Sequence, residues 1–281
     1  MAAREPAVAM RWEASLALGY LRRGGRTVLA RRSHTGPLRV QRDLYPEGEG
    51  TCHTIVVHPP GGIAGGDALA VHAALGPECA ALLTTPGAGK WYRSDGEPAS
   101  QSLSFELECG AVLEWLPRET IVFNGARAEM ETQVTLQEGS VYLGWEILCL
   151  GRAAAGERFV RGQVRQRTEI RMRGRPLWVE RARFEGGDPL LDSPVGLAGR
   201  TVSATLVAAG RDLPSELILE CKRLQPDGSG RAGVTRLPLL AAARYLGDSG
   251  EEAHDYFARV WALLRPALKG IPAVAPRIWA T

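Results

Sequence analysis

Large apolar residues recur at every second position in one short segment after another, and that period of two confines most of the chain to half-buried β-strands. Gln101, Leu103, Phe105, Leu107 and Cys109 alternate against Ser102, Ser104, Glu106 and Glu108. Met130, Thr132, Val134 and Leu136 alternate against Glu129, Glu131, Gln133 and Gln137. Trp12, Leu16, Leu18 and Tyr20 share one face, and the Gly24-Gly25 pair turns the chain into a second strand over Thr27–Arg31. Strand-like runs also occupy 51–58, 67–75, 79–85, 111–116, 120–123, 177–184 and 202–208, with Gly or Pro clusters between most of them. So many short strands without intervening helices predict an all-β body and exclude a βαβ sheet.

The C-terminal part changes period. Ser249 with Glu251 and Glu252 fits a capping box, and Ala253, Phe257, Val260, Trp261 and Leu264 then line one helical face as far as Pro266. A second helix is expected over Leu239–Leu246, with Gly247 as its left-handed cap. No composition shift separates these helices from the strands. The expected organisation is therefore one domain: a mostly β body over 1–235, a helical segment over 236–269 and a tail over 270–281.

The balance of charge is modest. A net charge of +3 on 281 residues, with 45% hydrophobic and 23% charged, supports a sizeable core and gives no reason to expect nucleic acid or membrane as partner. Arg4, Glu5, Arg11 and Glu13 interrupt any signal-peptide core, and no run of 18 apolar residues occurs. Cys52, Cys79, Cys109, Cys149 and Cys221 are odd in number and widely spaced, which fits a reducing, cytoplasmic setting rather than a disulfide framework.

Several segments carry side chains of chemical interest. In His58-Pro59-Pro60-Gly61-Gly62-Ile63-Ala64-Gly65-Gly66-Asp67 two prolines fix φ, while four glycines permit positive φ or close backbone approach. The segment reads either as a strand-to-strand corner or as a backbone-lined passage with Asp67 at its mouth. Pro86-Gly87-Ala88-Gly89-Lys90 superficially resembles a phosphate loop. It has Thr84 where the first glycine is needed and Trp91 in place of the Mg²⁺-holding hydroxyl, so a tight turn is expected. Cys52 and His58 stand roughly 20 Å apart along one strand and cannot chelate a metal together. Glu114 and Glu119 flank Trp115-Leu116-Pro117-Arg118, and Glu146 interrupts the apolar run Val141–Leu150. A carboxylate in such a run is either buried with a partner or lines a polar cavity. Arg161, Arg165, Arg167, Arg171 and Arg173 fall on one strand face, opposite Val160, Val164, Ile170 and Met172. That face reads as a solvated sheet surface or a docking site for an acidic protein partner. No complete catalytic constellation or dinucleotide fingerprint is present.

Specific words carry the reading further. They are HPPGGIAGGD (58–67), TTPGAGKWYRS (84–94), WLPRETIVFNGA (115–126), GWEILCLGRAAAGE (144–157), GGDPLLDSPVGL (186–197), RYLGD (244–248) and PRIWAT (276–281). Gly36–Arg42 and Tyr45–Glu47 fit as well, and the order holds over nearly the whole chain. In these words the chain resembles the UreD (UreH) family of urease accessory proteins. Ala68, Arg118 and Asn124 depart from the family's commoner residues. The resemblance implies a non-enzymatic chaperone with an elongated, β-helix-like, multi-layered β body and a C-terminal helical pair. It implies direct binding to UreF, contact with the nickel-carrying GTPase UreG through UreF, and docking of the assembly on apo-urease. No tightly bound cofactor is implied, only transient nickel. Asp67, Glu119, Glu146 and His58 are the residues nominated for a nickel path. Pro59, Pro60, Gly61, Gly62, Gly65, Gly66, Thr84, Lys90, Tyr92 and Arg93 are nominated for the loops around it. Two other classes compete with this expectation: a β-scaffold enzyme using Asp67, Glu119 and Lys90, and a protein-binding module without a metal role.

Overall fold

The structure, a computed structural model, describes residues 11–280, so Arg4, Glu5 and the final Thr281 of the last word lie outside the described residues. The strands in chain order are β1 (Glu13–Arg23), β2 (Arg26–Thr35), β3 (Arg39–Val40), β4 (Thr51–Val57), β5 (Ala68–Leu75) and β6 (Ala80–Thr84). They continue as β7 (Gly89–Trp91), β8 (Ala99–Leu107), β9 (Val112–Trp115), β10 (Thr120–Val122), β11 (Arg127–Leu136) and β12 (Val141–Arg152). The last are β13 (Glu157–Arg158), β14 (Gln163–Met172), β15 (Arg175–Glu185), β16 (Val202–Ala209), β17 (Arg231–Leu237) and β18 (Leu240–Gly247). Among the described residues three α-helices accompany them: α1 (Pro189–Asp192), α2 (Ser215–Arg223) and α3 (Gly250–Lys269).

From β4 to β14 the longer strands alternate between two sheets, so that each coil lays one strand beside the previous coil's strand in the same direction. In the first sheet β1, β5, β8, β11 and β14 are parallel neighbours, with antiparallel β2 and β15 closing the two edges. In the second, β4, β6, β9 and β12 are parallel, and β16, β18 and β17 extend the sheet by antiparallel pairing. The body is thus mostly β, as the period of two predicts, and a β-solenoid-like stack, as the family resemblance implied.

Two cores flank the second sheet, and this explains where the period of two is visible and where it is lost. Leu16, Leu18, Leu103, Phe105, Leu113 and Tyr142 fill the space between the sheets. Leu82, Leu143, Trp145, Ile147, Leu206, Phe257 and Trp261 fill the space between the second sheet and the helices. Strands of the first sheet are wet on their outer face and alternate cleanly, as β11 does. β6 is buried on both faces and reads as a continuous apolar run. On β12 the two faces separate by parity: Trp145 and Ile147 point to the helices, whereas Tyr142 and Leu148 point between the sheets.

The expected C-terminal helical pair is corrected. Residues 240–247 form β18, hydrogen-bonded between β16 and β17, and among the described residues one long helix, α3, follows. A short Ala- and Leu-rich run does not distinguish a helix from a strand buried on both faces, and ladder pairing on both sides decided it. Gly247 is not a left-handed cap; a Cβ there would meet the Tyr245 hydroxyl at 2.2 Å. The second helix is α2, marked in the sequence by Pro214 before it, Glu216 in its first turn and buried Ile218 and Cys221 one turn apart. Ser249 caps α3 by accepting from the Glu252 amide at 3.1 Å. The reciprocal half of the capping box is missing, because the Glu252 carboxylate accepts instead from Gly228 N (2.7 Å) and Tyr245 Oη (2.8 Å). The helix also runs past Pro266 to Lys269 and ends on Gly270 at φ 81°.

What carries α3 beyond the proline is a buried set of charges. Arg265 donates from Nε to Glu114 (2.8 Å) and from Nη2 to Glu47 (2.6 Å), and Trp261 Nε1 donates to Glu114 (2.6 Å). Lys269 Nζ reaches Thr51 Oγ1 (2.6 Å) and Glu114 (3.4 Å), and His53 Nε2 meets Glu47 at 2.5 Å. Burial would push the Glu47 carboxyl up, but His53, Lys269 and Arg265 together hold it down at about 2.

Candidate functional site: an acid between the sheets

Two cavities open between the sheets, and Glu146 and Trp115 line both. The first has a volume of about 460 Å³ and polar walls, including Thr132, Gln166, Thr168, Thr205, Glu180 and Arg244. The second, about 310 Å³, is walled by Leu38, Val56, Ile63, Leu69, Val71 and Leu103, with His58, Lys90, Gln101, Arg118 and Thr120 as its polar groups. The strand parity places the Glu146 side chain on the inner face of β12, at the junction of the two cavities. Its accessible surface is therefore cavity surface. Burial raises the Glu146 carboxyl to about 7, opposed by hydrogen bonds from Gln166 and Thr120 and reinforced by nearby Glu180.

This gives Glu146 a definite pH signature. Its folded-state pKa lies above the ordinary 4.5, so the protonated form favours folding. The stabilisation is complete below about pH 4.5 and is lost as pH rises through 7. Glu146→Gln should accordingly unfold at a higher urea midpoint than wild type at pH 8, by up to roughly 2–3 kcal/mol, and lose that advantage at pH 4.5. Equal advantage at both pH values would contradict the assignment.

The other nominated residues separate into groups. His58, Gly61, Gly62 and Lys90 line the second cavity with Glu146. Burial lowers the His58 imidazole, opposed by Asp67. Pro59 and Pro60 lie exposed at the outer turn of the loop. The glycines divide the two uses expected of them: Gly61 and Gly66 take φ of 77° and 91°, while a Cβ on Gly62 or Gly65 would meet the Tyr92 ring at 2.2 Å or Ser94 Oγ at 2.4 Å. Tyr92 is exposed and packs edge-on against Phe123, and Arg93 is exposed beside Asp95 at 3.7 Å. The 86–90 segment leads into β7, not into a helix.

Asp67, Glu119 and Thr84 do not line either cavity. Asp67 is buried and accepts the amides of Ala64 (2.8 Å) and Trp12 (3.0 Å), which ties the glycine loop to the start of β1. Asp67→Ala removes the acceptor from two amides and is expected to cost about 2–3 kcal/mol of stability. Urea unfolding checks this, and a change under about 0.5 kcal/mol would contradict the structural role. Glu119 lies near Arg118 (3.6 Å), and its Oε2 is buried without a hydrogen-bond partner. Thr84 donates to Leu116 O (2.6 Å) and accepts from Trp279 Nε1 (2.9 Å), fastening the C-terminal tail to β6. The arginine face of β14 is solvated and laced with ion pairs: Arg165–Glu129 at 3.4 Å, Arg167–Glu131 at 2.9 Å, and Arg171 with Glu169.

Reasoning from sequence missed the Glu47–Glu114–Arg265–Lys269 set. The available signal was Glu114 within the apolar strand β9 and Arg265 on the apolar face of α3; Glu47, in the turn before β4, offered none. It also missed the polar wall of the first cavity. Thr132, Thr168 and Thr205 look like ordinary strand threonines until the register places them between the sheets.

A two-sheet solenoid with an ionisable acid at the junction of its internal cavities, and with helices clamped on one outer face, is a scaffold built around an interior. Comparison with known proteins fixes which scaffold. Residues 13–280 match the family model described as UreD urease accessory protein. The chain is 55% identical to the urease accessory protein UreD of Dechloromonas aromatica over 96% of its own length and 95% of the relative's. It is 53% identical to the UreD of Azoarcus sp. (96% and 94% covered) and 50% identical to that of Pseudomonas aeruginosa (96% and 95%). The chain belongs to the UreD family of urease accessory proteins. No helix among the described residues is long and apolar enough to cross a membrane.

Proposed function

We propose that this chain acts in the cytoplasm as a non-catalytic scaffold which, with UreF and the GTPase UreG, docks on apo-urease and supports insertion of nickel, and that the ion travels between its sheets. The meeting of the two cavities at Glu146 is the observation that carries this reading. A divalent cation crossing a low-dielectric interior needs negative charge and exchangeable oxygen ligands at the narrowest point. Glu146 supplies the charge, and Thr120, Gln166 and Thr168 supply neutral oxygens around it. With its carboxyl near 7, Glu146 releases a proton as the cation arrives and regains one as it leaves, so the interior never holds a lone charge for long. Among the described residues no three His, Cys, Asp or Glu side chains converge as a metal site. One carboxylate with hydroxyl and amide oxygens holds nickel weakly enough to pass it on. The test is the nickel content and activity of urease matured in cells that carry this chain or a Glu146 variant of it. Urease fully loaded whatever occupies position 146 would leave only a docking role.

A further inference from the structure

The polar cavity ends where the two sheets are joined by one ion pair, and the register explains how. Glu146, Thr205 and Arg244 are partners on adjacent strands β12, β16 and β18, so they form one row across the second sheet. Thr132, Thr168 and Glu180 form the corresponding row on β11, β14 and β15 of the first sheet. At the far end of these rows Arg244 Nη1 reaches across to Glu180 Oε1 at 2.6 Å. Arg244 also lies 3.4 Å from Thr205 Oγ1, with its guanidinium 5.6 Å from the Trp178 ring centroid. The Arg244 side chain is 56% exposed and that of Glu180 22%, which puts the pair at the surface end of the cavity. Two strand spacings, about 10 Å, separate Arg244 from Glu146 along the row.

We infer that Arg244 and Glu180 form a charge-selective latch at the mouth of this cavity, one that opposes entry of a divalent cation while closed and offers it a carboxylate when open. The inference rests on the proposed passage of a cation past Glu146. A half-exposed ion pair contributes little to stability, so exchange of partners is cheap. Closed, the guanidinium stands in the opening and neutralises Glu180, and an approaching cation meets a positive charge. Open, Arg244 gives up Glu180 and turns toward solvent, or stays on the face of Trp178, where its guanidinium already lies. Glu180 is then free to accept the cation, and the hydroxyls of Thr168 and Thr205 lead on to Glu146. The two members of the pair therefore have opposite effects on cation entry, which a merely structural bridge would not produce.

Cysteine accessibility in the full-length chain tests this without urease or nickel. Glu146→Cys, or Thr168→Cys as a second reporter in the same cavity, is introduced with the exposed Cys109 changed to Ser, and labelling by a cationic and an anionic methanethiosulfonate is timed. The same chain without the reporter serves as background for Cys149. Adding Arg244→Ala is expected to speed the cationic reagent by about tenfold, given the removal of one charge at about 10 Å in a medium of intermediate dielectric. Adding Glu180→Gln leaves the arginine unneutralised and should slow the same reagent. An unchanged cationic rate in the Arg244→Ala chain overturns the latch, as does equal acceleration of both reagents by both variants, which would mean simple loosening. Because nickel is absent from the assay, the latch can fail while the passage stands, and the passage can fail while the latch stands.

Discussion

Replacing Arg265 by alanine is expected to destabilise the protein by about 3–5 kcal/mol, the largest effect of any single substitution considered for this fold. The side chains of Arg265, Glu47 and Glu114 expose 1%, 3% and 2% of their surface, so removal of the guanidinium strands two carboxylates in a dry interior. Lys269, 3.7 Å from Glu47 and 3.4 Å from Glu114, with His53 on Glu47 and Trp261 on Glu114, then compensates the two acids only in part. Arg265→Lys keeps the charge but loses the fork that spans both acids, and should fall between alanine and wild type. The measurement is urea unfolding at neutral pH. Loss of less than about 1 kcal/mol in the alanine variant would mean that α3 is held by Phe257, Val260 and Trp261 alone. The same set predicts the acid limb of stability. The Glu47 carboxyl is held at about 2 in the folded protein against an ordinary 4.5, so its contribution is present above pH 4.5 and lost as pH falls from there through 2.

The parts of this structure legible in the sequence are those where one physical rule acts alone. β11 alternates because one face is wet, and β1 and β8 behave in the same way. The glycine-rich loop was readable because positive φ and close approach to Tyr92 and Ser94 admit no other residue. β18 was misread because Leu-Ala-Ala-Ala favours a helix locally, and only pairing with β16 and β17 overrules that preference. The role of Glu146 was half legible. Its position in an apolar run implied a partner or a cavity, yet the threonines that complete the cavity wall come from strands remote in sequence. Asp67 shows the opposite limit. Next to four glycines it looks like the mouth of a passage, whereas the fold engages its two oxygens with the amides of Ala64 and Trp12. Sequence adjacency does not reveal which face of a loop an acid turns toward.

Glu146→Leu is the second substitution expected to have a large effect, and it acts on function rather than folding. Leucine fills a comparable volume and removes the charge from the junction of the two cavities. Because the carboxyl is already raised to about 7 by burial, the leucine chain should be at least as stable as wild type at neutral pH. A cation crossing the junction would then lose the carboxylate there and meet hydroxyl, amide and apolar groups, at a cost of several kcal/mol in such surroundings. Glu146→Asp keeps the charge on a shorter arm and should retain part of the function, while Glu146→Gln should behave like leucine if charge is what matters. The decisive measurement is the nickel content per active site of urease purified from cells carrying each variant, with co-purification of the accessory proteins measured in the same preparations. Nickel-poor urease is expected with the leucine and glutamine chains, partial loading with aspartate, and undiminished assembly with UreF in all three; fully loaded urease from the leucine chain would rule out passage of the ion past Glu146.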